Sequence, residues 1–273
     1  MSAPTGTPRT VTVRDFRLRK ERSEKLVVVS AYDALFARLC DDAGVDCILV
    51  GDSLGNVIAG FESTLPVTLE QMIYHGAAVR RGTTRAMVLI DMPFLTYQVS
   101  REEAMRNCGR VMQETTAHGV KLEGASATVL DAVRAVTGLG VPVMGHLGFT
   151  PQSVHALGGY RVQGREADAA RRLTDEARRL EEAGAFSIVL ELIPSDIACE
   201  ITEAVTIPTI GIGAGPACDG QVLVLPDLLG LNDRFSPKFL KRYATMAEDT
   251  RQAVRRFADE VRGGVYPDAD HSF

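Results

Sequence analysis

Short apolar runs, each closing in polar or glycine residues, recur along the chain and alternate with segments of helical period. Eight of them read as strands: Val27–Tyr32, Asp46–Gly51, Ala86–Asp91, Gly119–Glu123, Val141–His146, Phe186–Leu192, Pro208–Gly213 and Gln221–Leu225. Runs such as Cys47-Ile48-Leu49-Val50 and Ser187-Ile188-Val189-Leu190 lack polar alternation, as strands covered on both faces require. Between the strands, Leu69, Met72, Ile73 and Ala77 share one helical face. Ala169, Ala170, Leu173, Ala177 and Leu180 do the same in a helix whose other face is Arg and Glu. Gly44, Gly82, Gly119, Gly140 and Gly184 each stand just before a strand, where a helix ends through a left-handed residue. This alternation predicts a parallel sheet with crossover helices. Eight such units in about 250 residues predict an α/β fold of the (β/α)8 barrel type, a TIM barrel, over an open doubly wound sheet.

Two βα connections are long, Ser53 to Pro66 and Leu147 to Gly164. On a barrel they would lie on the C-terminal face as lids or substrate-binding loops. The seventh unit leaves little room for a crossover helix. We expect one barrel domain over residues 1–273, with a flexible N-terminus (about 1–12) and C-terminal helices (about 237–263), read as Lys238–Asp249 and Thr250–Arg262. Those helices would cap the barrel or serve a subunit interface.

With 273 residues, 45% of them hydrophobic, the chain can bury a core without disulfides or a structural metal. A net charge of −5 disfavours nucleic acid or an anionic membrane as the main partner. No apolar stretch approaches a membrane span, and no signal or transit pattern opens the chain. The five cysteines are odd in number, widely spaced and without a CxxC pair, as in reduced, small buried side chains of a cytoplasmic protein.

Strand ends carry the chemistry of a barrel, and here they are mostly acidic. Asp52 and Ser53 follow the second predicted strand, Asp91 ends the third, Lys121 and Glu123 end the fourth, His146 ends the fifth and Glu191 nears the end of the sixth. Converging carboxylates repel one another and are driven to protonate, unless a cation or a lysine pairs with them. Oxygen ligands without a His/Cys cluster suit a hard ion such as Mg2+. Asp52 and Asp91 are short, rigid ligands, and Glu123 is long enough to reach through a water. Helix capping is the competing reading for any one of these acids. Lys121 and Glu123 lie two apart and so share a strand face; the lysine offers a charge to a substrate carboxylate, or pairs with Glu123. Glu191 stands in the apolar run Val189-Leu190-Glu191-Leu192-Ile193, where desolvation would raise its pKa toward that of a general base; a buried salt bridge is the alternative. His146 would donate to a substrate oxygen or make a core hydrogen bond. Gly211, Gly213 and Gly215 do not extend to a Rossmann fingerprint, and no Ser/His/Asp set appears.

The runs Val50-Gly51-Asp52-Ser53-Leu54-Gly55, Lys121-Leu122-Glu123-Gly124, Gly145-His146-Leu147-Gly148-Phe149-Thr150-Pro151-Gln152-Ser153, Gly158-Gly159-Tyr160-Arg161 and Ile210-Gly211-Ile212-Gly213-Ala214-Gly215 resemble the ketopantoate hydroxymethyltransferases, in order and over most of the chain. The resemblance implies a barrel of the phosphoenolpyruvate mutase/isocitrate lyase type. It implies transfer of the one-carbon unit of 5,10-methylenetetrahydrofolate to 3-methyl-2-oxobutanoate in pantothenate synthesis. By the same resemblance Asp52, Asp91 and Glu123 form the Mg2+ site, Asp52, Ser53, Asp91 and Lys121 hold the oxo acid, and Glu191 accepts the proton. A homodecamer is also implied. Pro226 departs from the pattern, since relatives often carry His there. A C–C lyase of the same superfamily is the nearest rival, but its Lys-Lys-Cys-Gly-His loop is absent; a non-catalytic barrel is the other.

Overall fold

Eight strands pair in chain order, all parallel, and the last pairs back to the first, so the sheet has no edge. They are β1 (Leu26–Ser30), β2 (Cys47–Val50), β3 (Met87–Asp91), β4 (Gly119–Glu123), β5 (Val143–Gly148), β6 (Ser187–Glu191), β7 (Thr209–Ile212) and β8 (Gly220–Val224). The helices are α1 (Val13–Glu21), α2 (Ala34–Asp42), α3 (Leu54–Val57), α4 (Leu69–Gly82), α5 (Arg101–Thr115), α6 (Ala127–Gly138), α7 (Ala167–Glu182), α8 (Ser195–Ala204), α9 (Leu225–Leu228) and α10 (Met246–Arg262). This computed structural model describes residues 9–273, so the expected flexibility of residues 1–8 lies outside the described residues. The chain divides into two compact units, Met1–Val224 and Leu225–Phe273. The (β/α)8 barrel is the first of them, and each predicted strand coincides with an observed one.

Successive side chains alternate across a strand, which sends Leu26, Val28, Cys47, Leu49, Met87, Leu89, Met144, Val189, Ile210 and Val222 into one buried cluster. The first helix stops this cluster at the N-terminal end of the barrel. Asp15 accepts from the Thr12 backbone N–H at 2.8 Å and the Thr12 hydroxyl at 2.7 Å, starting α1 in the manner of a capping box. Phe16 is fully buried under the cluster and packs edge-on to Phe186, ring centroids 5.4 Å apart. Polar ties anchor the plug just ahead of the strands. Arg19 pairs with Asp46 at 2.6 Å, Lys20 with Asp219 at 3.0 Å, and the Val11 N–H donates to the Arg85 carbonyl at 2.8 Å.

Gly44, Gly140 and Gly184 follow α2, α6 and α7 with φ of +87°, +83° and +99°, as expected of helix-ending glycines. Gly82 and Gly119 do not. Gly82 ends α4 without positive φ because a Cβ there would lie 2.2 Å from the Ala34 carbonyl oxygen. Gly119 belongs to β4, where a Cβ would meet the Pro142 oxygen at 2.5 Å, and α5 instead closes on Thr116 at φ +57°. Seven residues join β7 to β8 with no helix between them, as the short seventh unit required.

In the second unit, the stretch Lys238–Thr245 is not helical, contrary to expectation. Its backbone pairs outward instead: the N–H groups of Tyr243 and Met246 donate to Leu228 and Leu229 carbonyls left open at the end of α9. The helix then begins at Met246 with Glu248 and Asp249 in its first turn, where negative charge is favoured.

Phe16→Ala should lower the stability of the full chain by roughly 3–5 kcal/mol, the usual cost of emptying a buried phenylalanine site. Urea unfolding reads this directly, and an unchanged midpoint would show that the barrel does not lean on its plug.

Candidate active site

The inward positions that continue the apolar cluster toward the C-terminal end of the barrel are polar. Lys121 stands opposite Asp91 in the β3–β4 register, and Glu123 opposite His146 in the β4–β5 register. Lys121 Nζ lies 3.2 Å from Asp91 Oδ2, 3.7 Å from Glu123 Oε1 and 3.0 Å from His146 Nδ1. His146 Nδ1 is 3.3 Å from Glu123 Oε1, and its Nε2 is 3.2 Å from Glu191 Oε2. Asp52, one turn past β2, donates its backbone N–H to Asp91 Oδ2 at 3.1 Å. The structure therefore brings together all of the predicted acids, the lysine and the histidine. Ser53 joins from the same turn, its hydroxyl 2.8 Å from the Tyr32 hydroxyl, which in turn meets Ser30 at 2.8 Å.

Burial sets the electrostatics. The side chains of Asp91, Lys121, Glu123 and His146 keep 3–5% exposure, while Glu191 keeps 17%. The deep desolvation expected at Glu191 thus falls on its neighbours. Burial, with Glu123 beside it, pushes the Asp52 carboxyl up to about 7 against the pull of Lys121. Burial also pushes Asp91 up to about 7, with Lys121 again opposing, and raises Glu123. Burial works against the charge on Lys121, but Asp91, Glu123 and Asp52 outweigh it and hold the ammonium above the ordinary lysine value. The His146 ring is brought down to about 4 by burial and by Lys121, so it is neutral at pH 7. Because an ammonium can only donate, Nδ1 accepts from Lys121 and the ring hydrogen sits on Nε2, facing Glu191.

When all three carboxyls are ionised, they leave two negative charges beyond the one ammonium, the charge of one divalent cation. Asp91 Oδ1 and Glu123 Oε1 are buried and make no hydrogen bond, which buried acceptors rarely tolerate without a partner. No three His, Cys, Asp or Glu side chains among the described residues form a ready-made cage. Mg2+ needs no such cage, since it takes few protein carboxylates directly and reaches others through the waters and substrate oxygens that fill its octahedron. The residues present fit such an ion.

Sequence reasoning missed the supports of this cluster. Gln152, in the turn after β5, and Tyr97, in the loop after β3, are buried polar residues of the loops, outside the strand period that exposed the acids. Two backbone features also went unread. Gly148 (φ +93°) lets β5 run so close to β6 that a Cβ would lie 2.2 Å from the Glu191 carbonyl oxygen. Leu192 holds φ +48° directly after Glu191, a conformation costing roughly 1–2 kcal/mol outside glycine. Pro226 opens α9 in the second unit, where the neighbouring Asp227 accepts from Asn232 at 2.9 Å.

The model of the ketopantoate hydroxymethyltransferase family matches residues 10–269. A 3-methyl-2-oxobutanoate hydroxymethyltransferase of Pelobacter propionicus is 54% identical over 263 residues, spanning 96% of this chain and 97% of that protein. Its counterpart in Syntrophus aciditrophicus is 52% identical over 265 residues, 97% of either chain. Among solved structures, phosphonopyruvate hydrolase in complex with oxalate and Mg2+ superposes with a TM-score of 0.61 at 13% identity, over 95% of this chain and 92% of that one. A 2,3-dimethylmalate lyase, a member of the phosphoenolpyruvate mutase/isocitrate lyase superfamily, gives 0.60 at 14% identity over 96% and 91%. Likeness at that identity shows a shared fold and carries no activity with it.

Mg2+ at about a hundred times its dissociation constant should stabilise the metal-free protein by about 2.7 kcal/mol, a melting-temperature rise of roughly 5–10 °C for a chain of this size. Carboxyls raised in the fold favour their protonated form there, a stability present at low pH and lost as pH rises through about 7. Protons and cation therefore compete, and the rise should be full at pH 8 and shrink toward pH 6. Differential scanning fluorimetry with and without Mg2+ measures it; a rise that is absent, or equal at both pH values, would remove the cation from these acids.

Proposed function

The chain belongs to the ketopantoate hydroxymethyltransferase family, and we propose that its barrel mouth enolises 3-methyl-2-oxobutanoate and joins the enolate to the one-carbon unit of 5,10-methylenetetrahydrofolate. The products are 2-dehydropantoate and tetrahydrofolate. The observation that carries this reading is the meeting of Lys121 and three buried acids with the more accessible Glu191, one imidazole ring away.

Each residue takes the part its surroundings allow. Lys121 and Ser53 hold the carboxylate of the oxo acid, the serine hydroxyl being oriented by Tyr32. Asp52, Asp91 and Glu123 would hold Mg2+, with Asp91 Oδ1 and Glu123 Oε1 as oxygens that make no hydrogen bond. When bound there, the ion supplies an electrophile to the carboxylate and keto oxygens and stabilises the charge that develops on enolisation. The phosphonopyruvate hydrolase of the same fold is solved with oxalate and Mg2+; oxalate carries adjacent oxygens as a 2-oxo acid does, which supports this placement.

Glu191 removes the proton from C3, and the electron pair of that C–H bond moves toward the C2 oxygen. Neutral His146 places its Nε2 3.2 Å from Glu191 Oε2, a close contact short of a hydrogen bond that favours this position of the carboxylate. C3 then bonds the one-carbon unit, whose new hydroxyl oxygen comes from water. The two folate nitrogens released from the methylene bridge take up two protons, one from C3 through Glu191 and one from water. Holding both reactants in one mouth makes their union nearly intramolecular.

The proposal extends to a homo-oligomer, a decamer, in the cytoplasm. Exposed Val254, Phe257 and Val261 on α10 support assembly, and five free thiols support a reducing compartment. Among the described residues no helix is long and apolar enough to cross a membrane.

Glu191→Gln should slow deuterium exchange at C3 of 3-methyl-2-oxobutanoate by at least 10²-fold, the lower range for loss of a positioned base, while Mg2+ affinity stays within about threefold. Proton NMR in D2O follows the exchange, and exchange at the wild-type rate would take the base role from Glu191.

A further inference from the structure

Gln152 reaches both sides of the acid cluster from a loop. Its Nε2 donates to Asp52 Oδ2 at 2.9 Å and to the Met92 carbonyl at 2.9 Å. Its own backbone N–H donates to Glu123 Oε2 at 3.1 Å. The orientation of the amide is decided by its other end. Oε1 accepts from the Tyr97 hydroxyl at 2.9 Å and from Gln98 Nε2 at 3.1 Å, while Asp52 and Met92 offer only acceptors. A flipped amide would set oxygen against oxygen on one side and nitrogen against a donor on the other. The Tyr97 oxygen accepts from the Glu123 N–H at 3.0 Å, and its one hydrogen has Gln152 Oε1 at 2.9 Å nearer than the Glu123 carbonyl at 3.2 Å.

The consequence concerns which carboxylate oxygens stay free. The Gln152 side chain occupies Asp52 Oδ2 and its main-chain N–H occupies Glu123 Oε2, while Glu123 Oε1 is left without a hydrogen bond. We infer that Gln152 is a positioning residue for the cation, selecting through Asp52 and Glu123 the carboxylate oxygens that face it, with Tyr97 setting the direction of its amide. Its place in the turn Pro151–Ser153, at the root of the long loop after β5, makes that loop part of the cation site. This rests on the reading of the acids as a Mg2+ site.

The test uses Mn2+ as a paramagnetic probe, its binding to the full-length, metal-free protein followed by electron paramagnetic resonance, with no turnover required. Gln152→Met keeps the side-chain length and removes all four hydrogen bonds of the amide. It should weaken Mn2+ binding about 10–100-fold, the usual effect of removing a group that orients metal ligands. Tyr97→Phe, which removes one of the two donors to Gln152 Oε1 and leaves Gln98 in place, should weaken binding by less. Binding by Gln152→Met at the wild-type affinity overturns the positioning role even if its melting temperature falls. Should Gln152→Met fail to fold, wild-type affinity in Tyr97→Phe overturns it. Failure of the wild-type protein to bind Mn2+ overturns the metal reading itself, and the inference with it.

Discussion

An ammonium held among three carboxylates in a nearly dry space is the constraint around which the rest is arranged. Lys121 is costly to bury alone, and so is each acid. Together they offset part of one another's lost hydration, but burial, with the neighbouring acids adding to it, still pushes Asp52 and Asp91 upward. Everything nearby limits that push. Gln152 donates to Asp52 and to Glu123, the backbone N–H of Asp52 reaches Asp91, and His146 stays neutral between the lysine and Glu191. A cluster with this imbalance favours any cation or proton that can enter.

Much of this was legible in the residues because parallel barrels write their strands as unbroken apolar runs. All eight were found where Val, Ile and Leu cluster, and the polar residues that break those runs at their ends, Asp91, Lys121, Glu123, His146 and Glu191, meet in one cluster. What escaped was held by geometry with no linear signal. Gly82 and Gly119 look like helix-ending glycines yet serve close approach to Ala34 and Pro142. Gln152 and Tyr97 sit in loops, where no periodicity marks one polar residue as buried. The burial of Glu191 was overestimated because an apolar stretch says which face of a strand is covered, but not that the covered face opens at the barrel rim. Lys238–Thr245 carries a helical composition that lost to pairing with the open carbonyls of α9.

The division of labour between the two ends of the barrel is sharp. At the N-terminal end, Phe16 and its neighbours close an entirely apolar interior, with ion pairs only at the rim. At the other end the same inward positions carry charge. Solved structures at 13–14% identity share the frame while their names describe hydrolysis and carbon–carbon cleavage. The frame is therefore compatible with several reactions, and the side chains at the strand ends decide among them.

The closure of β8 onto β1, where Leu26 pairs with Gly220, also bears on how the protein is made. A ribosome delivers β1 among the first segments and β8 among the last of the barrel. Until β8 emerges, one edge of β1 has no hydrogen-bonding partner, and the cavity above Phe16 has no complete wall, because Phe186 and Val222 arrive late in the chain. Closure is thus a contact of very high sequence separation, slow to form and open to wrong pairing in the interval. A nascent chain of this kind gains from a holding chaperone, and a stall in translation between β7 and β8 would release a product that keeps nearly every residue of the mouth yet cannot shut the barrel behind it.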